Sequence, residues 1–168
     1  LRESPEFRLR VADRLQKHLF NDGPLTTEAN QQRWLARANQ IEKAIIAESA
    51  RWGDNRREPP YTRADWLATM NDLLNNYFPL RTDIVLDQFN ARGWRVSYPA
   101  PLMSQYGGTV EPGYQLILSL PPALRGVPIY YTLDGSDPRD RATNLPAAGA
   151  LLYGGPITIN AGTHVSAR

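Results

Sequence analysis

The first helix is predicted from apolar residues that recur every four positions along the start of the chain. These residues lie on one helical face and are Phe7, Val11, Leu15 and Leu19. Before them, Ser4 suits the N-cap, Pro5 the first helical position and Glu6 the positive end of the helix dipole. The turn-forming residues 21–24 are expected to end the helix, with Gly23 available for a left-handed conformation.

A second, longer helix is predicted to start at Thr26 or Thr27 and to end near Gly53. Its apolar stripe consists of Trp34, Ala38, Ile41, Ile45 and Trp52. Because tryptophans on an apolar stripe usually pack inside, we expect Trp34, Trp52 and Trp66 to belong to the core rather than to a ligand platform. The helix is apolar on more than one side, which indicates that a partner covers part of it.

A third helix is predicted after Thr62, with Asp65 completing a short capping box. Pro79 is expected to kink or break this helix, since proline lacks an N–H group. A fourth helical segment then runs from Pro79 to about Arg92, and Gly93 closes it. The first 93 residues therefore read as a bundle-like helical subdomain.

The pattern changes after Gly93, where short β-rich runs alternate with proline and glycine. The runs are Tyr114–Leu120, Ile129–Leu133, Leu151–Tyr153, Ile157–Ile159 and His164–Ala167. The fold class that follows is multidomain, α then β. We predict a helical bundle-like subdomain at residues 1–93, a linker at 94–101, and a small Ig-like antiparallel β-sandwich at 102–168.

Composition narrows the functional classes. The formal net charge is +2, which favours neither half as a nucleic-acid surface, and no apolar run is long enough to insert into a membrane as a helix. The chain has no cysteine, so neither a disulfide nor a thiolate metal site is expected. Because it begins at Leu1, we expect it to be a piece of a longer protein. No cofactor is predicted for this piece.

The second half resembles the β-sandwich module found at the C-terminus of chitobiases and β-hexosaminidases and in many exported bacterial proteins. The residues that carry the likeness lie between 101 and 168, with Ile129–Pro138 (IYYTLDGSDP) the most specific run. The others are Gly107-Gly108, residues 113–116, Tyr153 with residues 155–157, and residues 165–168. In that family the last strand would continue at Arg168, so we expect the module to be clipped there.

The first half resembles the C-terminal helical part of the CotH-type spore-coat protein kinase family. The likeness lies in residues 12–14 with 20–23, in the run 47–54 (AESARWGD), and in residues 75–79 with Arg81. In that family this region follows the ATP-binding core, so the resemblance implies catalytic residues upstream and none here. It also implies an exported protein, located outside the cytoplasm or secreted, whose helices contact the upstream part of the same chain.

The run around Asp134-Gly135 is predicted to be a tight hairpin turn in which Asp134, Ser136 and Asp137 hold backbone N–H groups. A calcium site is the weaker alternative, because the spacing lacks the alternating oxygen ligands of an EF-hand loop. No metal ligand is assigned. His18 and His164 lack a second imidazole and are not expected to be ligands.

Tyr130 and Tyr131 are the two candidate binding residues. Neighbouring residues of a strand face opposite sides, so one tyrosine is expected inside and the other outside. The outer ring either covers the sheet or stacks on a sugar. Polysaccharide is therefore the alternative partner.

Glu48 and Arg51 lie three residues apart on one helical face and are expected to form a buried pair that fixes helix packing. The alternative is that Arg51 or Arg56 supports an upstream kinase core.

The two resemblances together imply that this chain is a non-catalytic fragment of a large exported bacterial protein. It combines a helical buttress of a CotH-like atypical kinase domain with an accessory β module. A carbohydrate-binding module and a purely structural cell-surface module remain the alternatives.

Overall fold

The structure, a computed structural model, describes residues 3–55, 57–95 and 98–168. It divides into two compact units, Leu1–Arg10 with Val96–Arg168, called here the β unit, and Val11–Arg95, called the helical unit. Helices precede small antiparallel sheets along the chain, which confirms the predicted α then β fold class. The predicted domain bounds stay a prediction. Arg56 and part of the predicted linker lie outside the described residues.

Helix α1 (Pro5–Leu19) begins as its sequence predicts. The Ser4 hydroxyl accepts a hydrogen bond from the Phe7 N–H at 3.4 Å. The expectation for Gly23 is wrong, because Asn21 adopts the left-handed conformation, with φ 55°. Gly23 serves close packing instead, since a Cβ there would lie 2.6 Å from the His18 carbonyl oxygen.

Helix α2 (Thr27–Trp52) starts at the predicted N-cap, where the Thr26 hydroxyl accepts from the Ala29 N–H at 3.4 Å. It ends at Gly53, whose N–H donates to the Ser49 carbonyl at 2.9 Å. The chain returns close to this point, and the Tyr61 N–H donates to the Gly53 carbonyl at 2.8 Å. A Cβ at Gly53 would lie 2.4 Å from the Tyr61 carbonyl oxygen, so only glycine fits without a shift.

Helix α3 (Arg63–Asp72) carries the predicted capping box between Thr62 and Asp65. The Asp65 carboxylate accepts from the Thr62 N–H at 2.9 Å and from its hydroxyl at 2.8 Å. With the Arg57 guanidinium 2.9 Å away, these bonds lower the pKa of Asp65 to about 2. The sequence alone thus identified both the start of this helix and the residues that fix it.

Of the two alternatives at Pro79, the break is wrong, because α3 continues through a π-helical turn (Leu73–Tyr77) into α4 (Phe78–Ala91). The kink stays a prediction. In a π turn a carbonyl pairs with the N–H five residues later, and for Leu74 that residue is Pro79, which has none. The Gln31 side-chain amide donates to the Leu74 carbonyl at 2.7 Å and replaces the missing donor. The wider turn and this side chain together accommodate the proline.

The helical unit has a small core. Leu15 and Leu19 of α1 pack against Leu86 of α4, and all three are buried. The half-buried residues around them are Val11, Phe20, Val85 and Phe89. On α2, the buried residue of the predicted stripe is Ala38.

The described residues of the β unit form seven short strands in three antiparallel sheets. β1 (Leu102–Met103) pairs with β3 (Leu118–Ser119), and β2 (Tyr114–Leu116) pairs with β6 (Ile157–Ile159). In the third sheet, β4 (Tyr130–Thr132) lies between β5 (Leu151–Leu152) and β7 (Ser166–Ala167). A 3-10 turn at Pro122–Leu124 separates β3 from β4.

The three sheets enclose one apolar core, as in a small sandwich. Its buried members are Leu116, Leu118, Ile129 and Ile157. The predicted run Tyr114–Leu120 is interrupted at Ile117, which is 49% exposed, and there the chain changes its partner from β6 to β1. Alternation is preserved across the change, since Leu116 and Leu118 both point into the core.

Candidate functional site

The IYYTLDGSDP run follows the central strand β4 as a hydrogen-bonded turn. The Asp134 carboxylate accepts from the Ser136 hydroxyl at 2.6 Å and from the Ser136 N–H at 2.9 Å. These two bonds lower the pKa of Asp134. The buried Thr132 hydroxyl donates to the Ser136 carbonyl at 2.7 Å, and Gly135 has φ 79°. The predicted turn is confirmed for Asp134.

The predicted hairpin is wrong, because the partners of β4 come from residues 151–152 and 166–167 and not from the residues just after the turn. Gly135 is required for a second reason. A Cβ there would lie 2.3 Å from Nδ1 of His164, whose backbone bridges to Asp134. His164 therefore closes over the turn, a contact that sequence reasoning did not foresee because it joins distant parts of the chain.

Asp137 anchors the end of the same turn. Partial burial alone would raise the pKa of Asp137, but hydrogen bonds from the Arg139 N–H at 3.1 Å and from the Arg168 guanidinium at 2.7 Å bring it below the usual value. Asp140 holds the next turn, where the Thr143 N–H and hydroxyl and the Ala142 N–H lower its pKa. Each described carboxylate of this loop thus has a structural role.

Within the β unit, Arg139 also reaches the start of α1. Its guanidinium donates to the Glu6 carboxylate at 2.6 Å, and this bond lowers the pKa of Glu6. Arg141 lies 3.7 Å from the same carboxylate. The Arg139 side chain is only 14% exposed, and its Nε lacks a hydrogen-bond partner among the described residues. No local pattern predicts this pairing, because its partners lie 133 residues apart.

Tyr130 and Tyr131 are both half-buried, and the two rings lie on opposite faces of β4. Tyr131 packs on the core, with its ring edge-on to Tyr153 at a centroid distance of 6.3 Å. Tyr130 is paired with Leu152, which is 61% exposed. Tyr130 is thus the outward-facing tyrosine, and sugar stacking on it stays a prediction.

The AESARWGD run forms the end of α2. Glu48 and Arg51 are both exposed, so the predicted buried pair is wrong. The Arg51 guanidinium lies 5.0 Å from the ring centroid of Trp52, its direct neighbour. A partner that covered this end of the helix would therefore contact a cation and an aromatic ring together.

The α2 stripe that was expected to form the core is largely accessible. Trp34 is 36% exposed and Trp52 is 53% exposed, so their assignment to the core is wrong for the chain alone. Trp66 is half-buried. The structural reason is that α3 and α4 cover only part of α2, and that Ala38 is its buried contact.

A concave feature of the β unit lies beside the β2–β6 pair. This cavity of about 580 Å³ is called here the loop groove, and its walls are residues 105–110 and 160–165. Tyr114, Leu116 and Ile159 form its floor. The sequence did not predict it, because its walls come from two loops that only the β2–β6 pairing brings together.

Over residues 3–55, 57–95 and 98–168, no three His, Asp or Glu side chains are grouped so that they could hold a metal ion. In the same residues, no helix is both long and apolar enough to cross a bilayer.

Part of the β unit is similar to a known family. A family model described as Fn3 associated matches residues 118–168, which include strands β4–β7 and Leu118 of the core. This part of the chain is therefore similar to an accessory β module, in agreement with the small sandwich. No curated protein and no solved structure matches the chain.

Proposed function

We propose that this chain is a non-catalytic part of a large exported bacterial protein, located outside the cytoplasm. In this proposal the helical unit is the buttress of a CotH-like atypical kinase domain and contacts the upstream part of the same chain. The β unit, similar to a chitobiase C-terminal-type module, is the accessory part. The resemblance of residues 47–54 and 75–79 to the kinase family supports the first half, and the Fn3-associated match supports the second.

The observation that carries the proposal is the accessible apolar surface of the helical unit. On α2, Trp52 and Ile46 are 53% and 57% exposed, and on α4 Leu80 is 59% exposed. Single exposed apolar side chains are ordinary, but several on one small unit are typical of a surface that another part of the protein covers. An upstream kinase core would supply that cover.

The resemblance also gives a structural role to the second motif. Residues 75–79 span the end of the π turn and the start of α4. Thr27 of α2 bonds to Phe78 within the motif, and Gln31 of α2 bonds to Leu74 just before it. The Thr27 hydroxyl donates to the Phe78 carbonyl at 3.2 Å. The motif thus locks α2 against the π turn and holds the accessible stripe of α2 in a fixed orientation. In this proposal catalysis belongs to residues upstream.

The test compares this chain with a form extended upstream by one domain length. We expect calorimetry to detect Mg-ATP binding in the longer form and not in the chain alone. Hydrogen exchange of the α2 amides should slow by about tenfold in the longer form, because the stripe becomes covered. Mg-ATP binding by neither form would remove the kinase assignment, and unchanged exchange of α2 would remove the buttress.

A matched pair of substitutions sharpens the test. In the longer form, Trp52→Ser should lower the protection of α2, because it removes the largest ring of the covered face. Tyr98→Ser is the control, since Tyr98 is a 72% exposed aromatic residue of the other unit. Equal effects of the two substitutions would contradict the assignment of the α2 face.

A further inference from the structure

We propose that the loop groove of the β unit binds an uncharged oligosaccharide. This site is separate from the Tyr130 and Tyr131 positions, and it does not depend on the role proposed for the helical unit. Four features of the groove carry the inference: its size, its fixed floor, its oriented tyrosines and the chemistry of its walls.

The groove has the size of a small-ligand site. Its volume of about 580 Å³ lies within the ~300–1,000 Å³ typical of ligand clefts. Residues 105–110 form one wall and residues 160–165 form the other, so a ligand in the groove would be contacted from two sides.

The floor of the groove is held in place by contacts within the β unit itself. Tyr114 and Ile159 are directly paired in the β2–β6 ladder, and the Gly113 N–H donates to the Ile159 carbonyl at 2.8 Å. Leu116 belongs to the buried core of the unit. A preformed floor lowers the conformational entropy that is lost on binding.

The two tyrosines of the groove are held by their hydroxyl groups. The Tyr106 hydroxyl accepts from the Met103 N–H at 3.1 Å, and the Tyr114 hydroxyl lies 3.1 Å from the Ser104 hydroxyl. Tyr106 is 39% exposed, so part of its ring remains accessible. A fixed aromatic ring offers an apolar surface at little entropic cost, and the C–H face of a sugar ring packs well on it.

The walls of the groove are polar and contain several glycines. The groove is lined by amides and hydroxyls, including Gln105, Asn160 and Thr163, and by the imidazole of His164. Its lining, within the described residues, includes no Asp, Glu, Lys or Arg. Gly108 and Gly162 leave backbone groups accessible, while the Gly107 carbonyl accepts a hydrogen bond from the Gln105 side-chain amide. Amides and hydroxyls both donate and accept hydrogen bonds, which suits a ligand rich in hydroxyl groups. A charged ligand would lose hydration here and would meet no carboxylate, ammonium or guanidinium group among the described lining residues.

The experiment is affinity electrophoresis of the intact chain in native gels. The gels contain hydroxyethyl cellulose, galactomannan, laminarin or glycol chitin, with anionic alginate as the charged comparison. We expect at least one of the four neutral polymers to retard the protein and alginate to leave its mobility unchanged. Retardation by none of the four, or by alginate alone, would overturn the proposal.

Substitutions then locate the site. Tyr106→Ala and Asn160→Ala should each weaken retardation by about tenfold, since both remove a contact from the groove. Tyr98→Ala, an exposed tyrosine outside the groove, should change it less than twofold. Circular dichroism checks that each variant is folded, and Asn160→Ala serves alone if Tyr106→Ala unfolds. Loss in Tyr130→Ala with no loss in Asn160→Ala would place binding on the β4 sheet instead and overturn the assignment.

Discussion

In the β unit, four apolar side chains from three parts of the chain are buried against one another. In the helical unit, which is longer, the corresponding cluster has three members, and large apolar residues of α2 and α4 stay accessible. Both units keep large apolar side chains accessible, and in the β unit Leu145 and Leu152 are 63% and 61% exposed. The difference lies in the core. The β unit draws its buried side chains from three parts of the chain, whereas α2, the longest helix, contributes one buried residue, Ala38.

The largest expected effect comes from the β core. Leu118 is 3% exposed, and Leu118→Ala should destabilise the β unit by about 2–5 kcal/mol through lost burial and a residual cavity. Hydrogen exchange followed by mass spectrometry reads each unit separately and should show faster exchange in strands β1–β4. Equal loss of protection in the helical unit would mean that the two units unfold together.

Glycine 53 tests close packing in the helical unit. Gly53→Ala should destabilise this unit by about 1–3 kcal/mol, because the new Cβ meets the Tyr61 and Ser49 carbonyl oxygens. All four tryptophans, at 34, 52, 66 and 94, belong to the helical unit, so urea unfolding followed by tryptophan fluorescence reports on it alone. Gly149→Ala, where a Cβ would have no neighbour within 4 Å, is the control and should leave the midpoint unchanged.

Gln31 tests the accommodation of Pro79. Gln31→Met keeps a long side chain but leaves the Leu74 carbonyl without its donor, which should cost about 1–2 kcal/mol of helical-unit stability. Gln40→Met, on the same helix, is the control. If both variants share one urea midpoint, the π turn does not depend on Gln31.

We expect acid to destabilise the two units to different extents, because they differ in the number of carboxylates whose pKa is lowered by folding. A carboxylate whose pKa is lowered by folding adds stability above its unfolded pKa and loses it as the pH falls toward the folded value. For Asp65 the window runs from 3.8 down to about 2. In the β unit the lowered pKa values of Glu6, Asp134, Asp137 and Asp140 act together. We expect Asp65→Asn to flatten the acid-dependent loss seen by tryptophan fluorescence, and Asp87→Asn, an exposed control, to leave it in place.

The smallest effect is expected at Trp52. Because its ring is 53% exposed, Trp52→Ala should change the stability of the chain alone by less than about 1 kcal/mol. Trp66→Ala, at a half-buried ring, is the comparison and should cost more. A large loss at Trp52 in the unextended chain would show that its ring already has a packing role within the unit.

Local rules predicted the helix starts well, because caps and dipoles depend on neighbours in sequence. Ser4, Thr26 and the Thr62–Asp65 box all lie where the sequence placed them. The same local rules failed where the deciding contact comes from a residue far away in the sequence. Pro79 is tolerated because Gln31, on another helix, supplies a hydrogen-bond donor. The predicted strand at 114–120 is divided because its first part pairs with β6 and its second part pairs with β1.

The candidate sites follow the same division. The turn at Asp134 was predictable because its hydrogen bonds join residues two positions apart. The loop groove was not, since its walls are about 50 residues apart in sequence and meet only through strand pairing. The burial of the α2 stripe was overestimated because periodicity shows which face is apolar and not what covers it.

The bond between Glu6 and Arg139 has a consequence for synthesis. Both residues belong to the β unit, yet all of Val11–Arg95 lies between them. During synthesis, Arg139 leaves the ribosome only after Glu6 and the whole intervening unit have emerged. The bond between Glu6 and Arg139 can form only then. The β unit is therefore completed only after the whole helical unit has been synthesised.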